Sequence, residues 1–310
     1  MLDHLFVTHR ELVERPGSWE PFYDAFYEAL RKLPEEIESA PEKGFTVWEK
    51  PALIKIVALS QLEFELRIYT RLSIQELTMM EAVALQRMQD LVRTLLEKRT
   101  TRNRTRTLRK ARNVLGVMIQ QRLTLLFIEM DDRELDKVIA LGESTVLDAE
   151  QWVQTLTGAC SVARAIKAMW RTEWRVHIFL TTLKEDVHLG LDILVTLTRA
   201  PGLGIAMGVK TNGRGHAMRT EVIKQEPEEN GDEDWKLDRR KIWVGAKELT
   251  DSTHRLWIPV RTQVGRPEQR LTLACTRRDR KTVSDLFAQI DGIGRKRRKR
   301  KAEARRRASA

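Results

Sequence analysis

The sequence predicts an α+β protein: an all-α region over 1–145, an α/β domain over 146–291 and a disordered basic tail over 292–310. Three observations predict it. Apolar residues recur every three or four positions through the first half, the spacing of a buried helix face. Short apolar runs bounded by turn residues begin only after a change of pattern near residue 145. Past Gly292 and Gly294 apolar residues nearly vanish and Lys and Arg dominate, a composition that cannot bury a core. A chain of 310 residues has room for two ordinary domains.

Taken in order, 19–33 carries a helical stripe of Phe22, Phe26, Ala29 and Leu30, and Pro34 ends it. A connection over 40–50 follows. Pro51 suits the first position of a helix reaching to about residue 70, with Leu53, Ile56, Val57, Leu59 and Leu62 on its apolar face. Ser73 and Glu76 have capping-box spacing and open a long helix through Leu77, Met80, Val83, Leu91 and Leu95. The Thr-rich basic stretch over 97–112 becomes a good helix former only from Leu108, and 114–127 reads as a further apolar helix. This half reads as a helical bundle with no catalytic constellation. Asp148 and Gln151 repeat the capping-box spacing and begin a helix through Val153, Leu156, Val162, Ile166 and Met169. Strands follow at 176–181, 191–198 and 205–210, the last two joined by the turn Ala200-Pro201-Gly202. An acidic loop spans 225–235, further strands fall at 241–244, 256–264 and 271–275, and a short helix at 283–290 closes the domain.

The net charge of +11 is concentrated in two places. Residues 295–310 carry a net +9 and residues 93–112 a net +8, leaving −6 for the rest of the chain. Two basic patches on a mildly acidic protein are the electrostatic footprint of a polyanion partner. The candidate phosphate contacts are Arg99, Arg102, Arg104, Arg106, Arg109, Lys110 and Arg112 in the first patch. In the second they are Arg295, Lys296, Arg297, Arg298, Lys299, Arg300 and Lys301. The plainer account of the first patch is a solvated connection between helices. Nuclear targeting signals share the composition of the second. No run of eighteen uncharged apolar residues exists, so no membrane span is expected. Cys160 and Cys275 are far apart, which argues against a disulfide framework or a four-ligand zinc site and suits a cytoplasmic, reducing setting. A nucleoid association would follow in a bacterium. The helical N-terminal region is also a candidate protein-binding module.

Chemistry concentrates in TTLKEDVHLGLDILVTLTRAPGLGIAMGVK, residues 181–210. Asp192 heads an apolar strand, and Lys210 ends the strand paired with it through the hairpin. A carboxylate placed there is costly without a partner or a metal. Neighbouring strands bring such a carboxylate and ammonium to one spot. The plainer alternative has Asp192 capping a turn and Lys210 ending in solvent. His177 and His188 lack zinc-ligand spacing, and PGLGIAMG lacks the Lys-Ser/Thr ending of a P-loop.

The run T-x-x-E-D-x-x-x-G-x-D followed by three apolar residues, a hairpin and Gly208-Val209-Lys210 resembles the core of the PD-(D/E)XK, or restriction-endonuclease-like, superfamily. The resemblance covers 148–211 well and the rest of the domain loosely. It implies a helix before a three-stranded meander, with Asp192 as metal-binding aspartate, Lys210 as catalytic lysine and Glu185 as a second acid and metal ligand. It implies Mg²⁺ or Mn²⁺ as cofactor and hydrolysis of phosphodiester bonds, in DNA in preference to RNA. One position departs from the pattern: Gly208 stands where the family carries Glu or Gln. Glu185 or Asp186 then supplies the second carboxylate, or Glu221 does, or the fold persists as an inactive scaffold that binds nucleic acid.

Overall fold

The computed structural model describes residues 102–145, 149–200, 202–212, 217–224, 233–253, 255–265 and 271–308, together with isolated positions between 28 and 93. Those isolated positions are all helical. The helices expected over 19–33, 51–70 and 73–95 otherwise fall outside the described residues, as do the connection at 40–50 and most of the acidic loop at 225–235. The described residues form six helices and one five-stranded mixed sheet, an α+β arrangement. None of the described helices is long and apolar enough to cross a membrane.

The chain divides into two compact units. One comprises 1–129 and 133–156; the other comprises 130–132 and 157–310. In the first unit, α1 (Arg102–Glu129) and α2 (Asp132–Thr145) are joined by a two-residue break. Leu115, Met118, Ile119, Leu123 and Leu126 recur at helical spacing along α1 and are buried, as are Leu135 and Val138 on α2. The Gln89 amide donates to the Arg112 carbonyl at 3.0 Å. The division falls inside α3 (Ala149–Trp170), whose first turns bury Trp152 and Leu156.

In the second unit the rest of α3 leads into β1 (Val176–Leu180), α4 (Leu183–Leu189), β2 (Ile193–Leu197), β3 (Leu203–Asn212) and β4 (Arg219–Val222). Then come α5 (Glu233–Thr253), β5 (Leu256–Gly265) and α6 (Arg277–Ala308). The sheet order is β1-β2-β3-β5-β4, antiparallel except for the β3–β5 pair. Side chains alternate across a sheet, so Gly204, Ala206, Gly208 and Lys210 share one face of β3. That face meets α5, where Ile242, Ala246 and Leu249, with Trp257 of β5, join Ala206 in one buried cluster. The opposite face carries Leu203 and Thr211. There the Thr211 hydroxyl pairs with Ser161 of α3 at 2.7 Å, and Leu203 lies against Gly294 of α6.

Three expectations need correction, and one helix joins the elements that were expected. Residues 241–244 are not a strand but part of α5: Ile242, Gly245, Ala246 and Leu249 are buried at helical spacing, which a four-residue apolar run does not reveal. Residues 271–275 bury Leu271 and Leu273 yet form no ladder, because the Leu273 N–H donates to the Asp132 carboxylate. The segment between β1 and β2 holds a helix, α4. The third corrected expectation is the tail. Residues expected to be disordered from 292 onward continue α6 to Ala308. Thr276 and Asp279 cap that helix reciprocally, with Asp279 N donating to Thr276 Oγ1 and Thr276 N donating to Asp279 Oδ2. Val283, Leu286, Phe287 and Ile290 then bury its inner seam. Extending a nucleated helix through Lys, Arg, Glu and Ala is inexpensive, since all four are strong helix formers.

Asp279 also ties three elements together. Its carboxylate accepts from Met218 N at 2.9 Å and from Arg164 Nη2 at 3.0 Å, and Arg164 in turn donates to the Gly265 carbonyl at 2.6 Å. Both partners of this ion pair are buried.

Candidate active site

The meander brings Asp192 and Lys210 to the same end of the sheet. Asp192 immediately precedes β2 and, with Ile193 opposite Met207, stands across from Gly208. Its backbone N–H donates to the Met207 carbonyl at 2.9 Å, and its Oδ2 accepts from Val209 N at 2.7 Å. The side chain is buried at 8 % exposure, so its orientation is set by β3 itself.

The second acid near Asp192 is Asp186 and not Glu185. Thr182 and Glu185 form the capping box of α4. Thr182 Oγ1 accepts from Glu185 N, and the Glu185 carboxylate accepts from Thr182 N at 2.8 Å. That engagement holds the Glu185 carboxylate on its own helix terminus. Asp186, the next residue round the helix, interacts electrostatically with Asp192, Lys210 and Lys241. Burial pushes the Asp186 carboxyl well above the ordinary range and the Asp192 charge adds to it, with Lys210 and Lys241 opposing.

Lys210 sits one pleat beyond Gly208 on the same face of β3. Its Nζ lies 3.5 Å from Asp238 Oδ2, with the side chain 40 % exposed. Burial works against its charge, but Asp192, Asp238 and Asp186 outweigh it and raise the ammonium above its ordinary value. Lys210 therefore stays a cation at neutral pH and cannot serve as a base there.

No pattern in the sequence singles out Asp238, which lies between the acidic stretch at 225–235 and the apolar residues at 242–244. The helical assignment of α5 explains its position. One turn further on, Ile242 covers Gly208: a Cβ on Gly208 would stand 2.4 Å from Ile242 Cδ1 and 2.9 Å from the Gly190 carbonyl. No side chain fits at 208, and the same helix that closes that position delivers a carboxylate to Lys210. Glu221 is not a member of the cluster; it pairs with Arg239.

The other candidate residues fall elsewhere. Arg102, Arg104, Arg106, Arg109, Lys110 and Arg112 lie on the first turns of α1, with Arg109 exposed and Arg112 half-buried; Arg99 is outside the described residues. Arg295, Lys296, Arg297, Arg298, Lys299, Arg300 and Lys301 are all exposed on α6. His177 and His188 are exposed as well.

Among the described residues no group of three or more His, Cys, Asp or Glu side chains is close enough to hold a metal ion. Asp186 and Asp192 make a pair of repelling carboxylates, a donor set suited to a hard divalent cation that keeps several water or phosphate ligands. No family profile, curated protein or solved structure matches the chain.

Proposed function

We propose that this chain is a metal-dependent nuclease that hydrolyses phosphodiester bonds in DNA. The observation that carries the reading is the convergence of Asp186, Asp192 and Lys210 at one end of the sheet, two carboxylates and a retained cation in mutual electrostatic contact. Asp186 and Asp192 would hold Mg²⁺ or Mn²⁺; such an ion polarises a phosphate and lowers the pKa of its bound water. Lys210, held charged by its three aspartates, supplies the positive group that offsets charge developing on phosphate oxygens. Asp238 holds the ammonium in place until a phosphate competes for it. The likeness of 148–211 to the PD-(D/E)XK pattern adds to this reading, with the helix α3, the meander β1–β2–β3 and the positions of Asp192 and Lys210 as its common features.

The test is cleavage of single- and double-stranded DNA with Mg²⁺ or Mn²⁺. Wild type is compared with Asp192→Asn, Asp186→Asn, Lys210→Ala and Glu185→Gln. The first three variants lose at least ~100-fold in rate, whereas Glu185→Gln retains most of it because its carboxylate only caps α4. A second reading, an inactive scaffold that binds nucleic acid, draws on the closed position at Gly208. Tight, salt-sensitive binding with no cleavage by wild type under either metal would select it.

A further inference from the structure

The two strongly charged features of the second unit lie at opposite ends of its sheet. Asp192 and Lys210 mark one end, where β2 begins and β3 finishes. The start of α6 is at that end too. Asp279 accepts from Met218, which precedes Arg219, and Arg219 faces Gln263, which faces Lys210. From there α6 runs antiparallel to β3. Its Gly294 reaches the far end, where an added Cβ would meet Leu203 Cδ1 at 3.0 Å and Ala200 Cβ at 3.6 Å. Arg298 fastens the same place, its Nη1 donating to the Arg199 carbonyl in the β2–β3 turn at 3.3 Å. Residues 295–307 are all exposed and hold ten Lys and Arg against Glu303.

Helix and strand rises set the scale. The path along β3 from Lys210 back to Leu203 is roughly 23 Å, and α6 adds about 9 Å more between Gly294 and Arg300. Measured along the strands the cationic end of α6 thus stands about 30 Å from Lys210, and it lies across the sheet on the other face, so the separation is at least the rise of about nine base pairs. A short duplex seated at Lys210 cannot reach it.

We propose that the basic end of α6 grips a segment of the same polynucleotide about nine base pairs or more away from the phosphate at Asp192 and Lys210, and so imposes a minimum substrate length. The inference rests on the nuclease reading of that site. Charge complementarity identifies the occupant: ten cations on an exposed helix match a phosphate backbone.

The experiment is a double-mutant cycle on DNA binding by the full chain, without divalent cations, using duplexes of about 8 and 30 base pairs. One lesion is Lys210→Ala. The other replaces Arg297, Lys299, Arg300 and Lys301 by Gln, leaving Arg298 on its turn. On the long duplex each lesion weakens binding, the helix lesion by about tenfold or more with a salt slope reduced by about 3. The two losses multiply there because one molecule spans both places. On the short duplex the double variant loses more than the product of the single losses, because the two places bind separate molecules. Losses that multiply equally at 8 base pairs put both groups on one short segment and overturn the proposal. So does a helix lesion silent at both lengths. A Lys210→Ala variant silent at both lengths, beside a helix lesion that still weakens binding, overturns the site reading and with it the proposal. That pattern is distinct from the other two.

Discussion

At Asp186 the folded chain retains a proton at pH values where the unfolded chain has released it, because burial and then Asp192 raise the carboxyl above its ordinary 3.8. Stability therefore falls as pH rises from that value to the raised folded one, and is flat above it. Asp186→Asn removes this slope and gains on the order of 1 kcal/mol near neutral pH while abolishing cleavage. Thermal melts between pH 4 and 8 check it; an Asn variant that melts lower than wild type at pH 7 would refute the assignment. Saturating Mg²⁺ raises the melting temperature of wild type but not of Asp186→Asn, since cation binding favours the folded state. At Gly208 the steric test is direct. Gly208→Ala costs roughly 1–3 kcal/mol from its clash with Ile242, and Gly208→Glu does not improve activity. Measured by urea unfolding, the Ala penalty shrinks when Ile242 is truncated to Ala; a Gly208→Ala protein as stable as wild type contradicts the packing described. Asp192 and Lys210 were legible in the sequence because each flanks an apolar run across a recognisable turn. The choice between Asp186 and Glu185 was not, since adjacent residues of one helix turn differ only in which one the cap engages.

Short elements here are held by specific terminal groups. The seven-residue helix α4 ends on Gly190 at φ 64°, a left-handed conformation whose N–H returns to Asp186 and Glu185 carbonyls. Gly190→Ala costs about 1 kcal/mol or more, and it displaces the strand start at Asp192, so cleavage falls along with stability. A change in the melting temperature without a change in rate would separate the cap from the site. At the start of α6, burial disfavours ionised Asp279, but N–H groups of Met218 and Thr276 and the Arg164 guanidinium outweigh it and hold its carboxyl below the usual range. That contribution is present above the ordinary 3.8 and is lost as pH falls through the lower folded value. Asp279→Ala leaves buried Arg164 without its counter-ion and costs about 3–5 kcal/mol, read as a shift in the urea midpoint at pH 7. The meander strands and α3 could be read from pattern alone. α5 could not, because Lys241-Ile242-Trp243-Val244 looks equally like a strand when its helical partners Gly245, Ala246 and Leu249 are overlooked. β4, four residues of alternating exposure, carries too little apolar signal to register.

Over the whole molecule, composition located the cations correctly but not their conformation. Lys, Arg, Glu and Ala suit a disordered tail and a solvated helix equally. What decides between them is the buried seam from Val283 to Ile290 and the Thr276–Asp279 cap upstream, both remote from the charged residues themselves. Deleting residues 295–310 lowers DNA affinity and flattens its salt dependence by several units of slope, measured by titration at 50–300 mM salt; unchanged binding would remove the tail from the interface. The continuous helix also places like charges at successive-turn positions: Arg295 and Lys299, Lys296 and Arg300, Arg297 and Lys301, Lys301 and Arg305. Each such pair costs about 0.2–0.5 kcal/mol of helix stability at low salt. The end of α6 is consequently a self-repelling spring. It frays as salt is diluted and winds up when a polyanion neutralises it, so part of the free energy of binding is spent on completing the helix, and amide exchange over 297–308 slows on adding DNA.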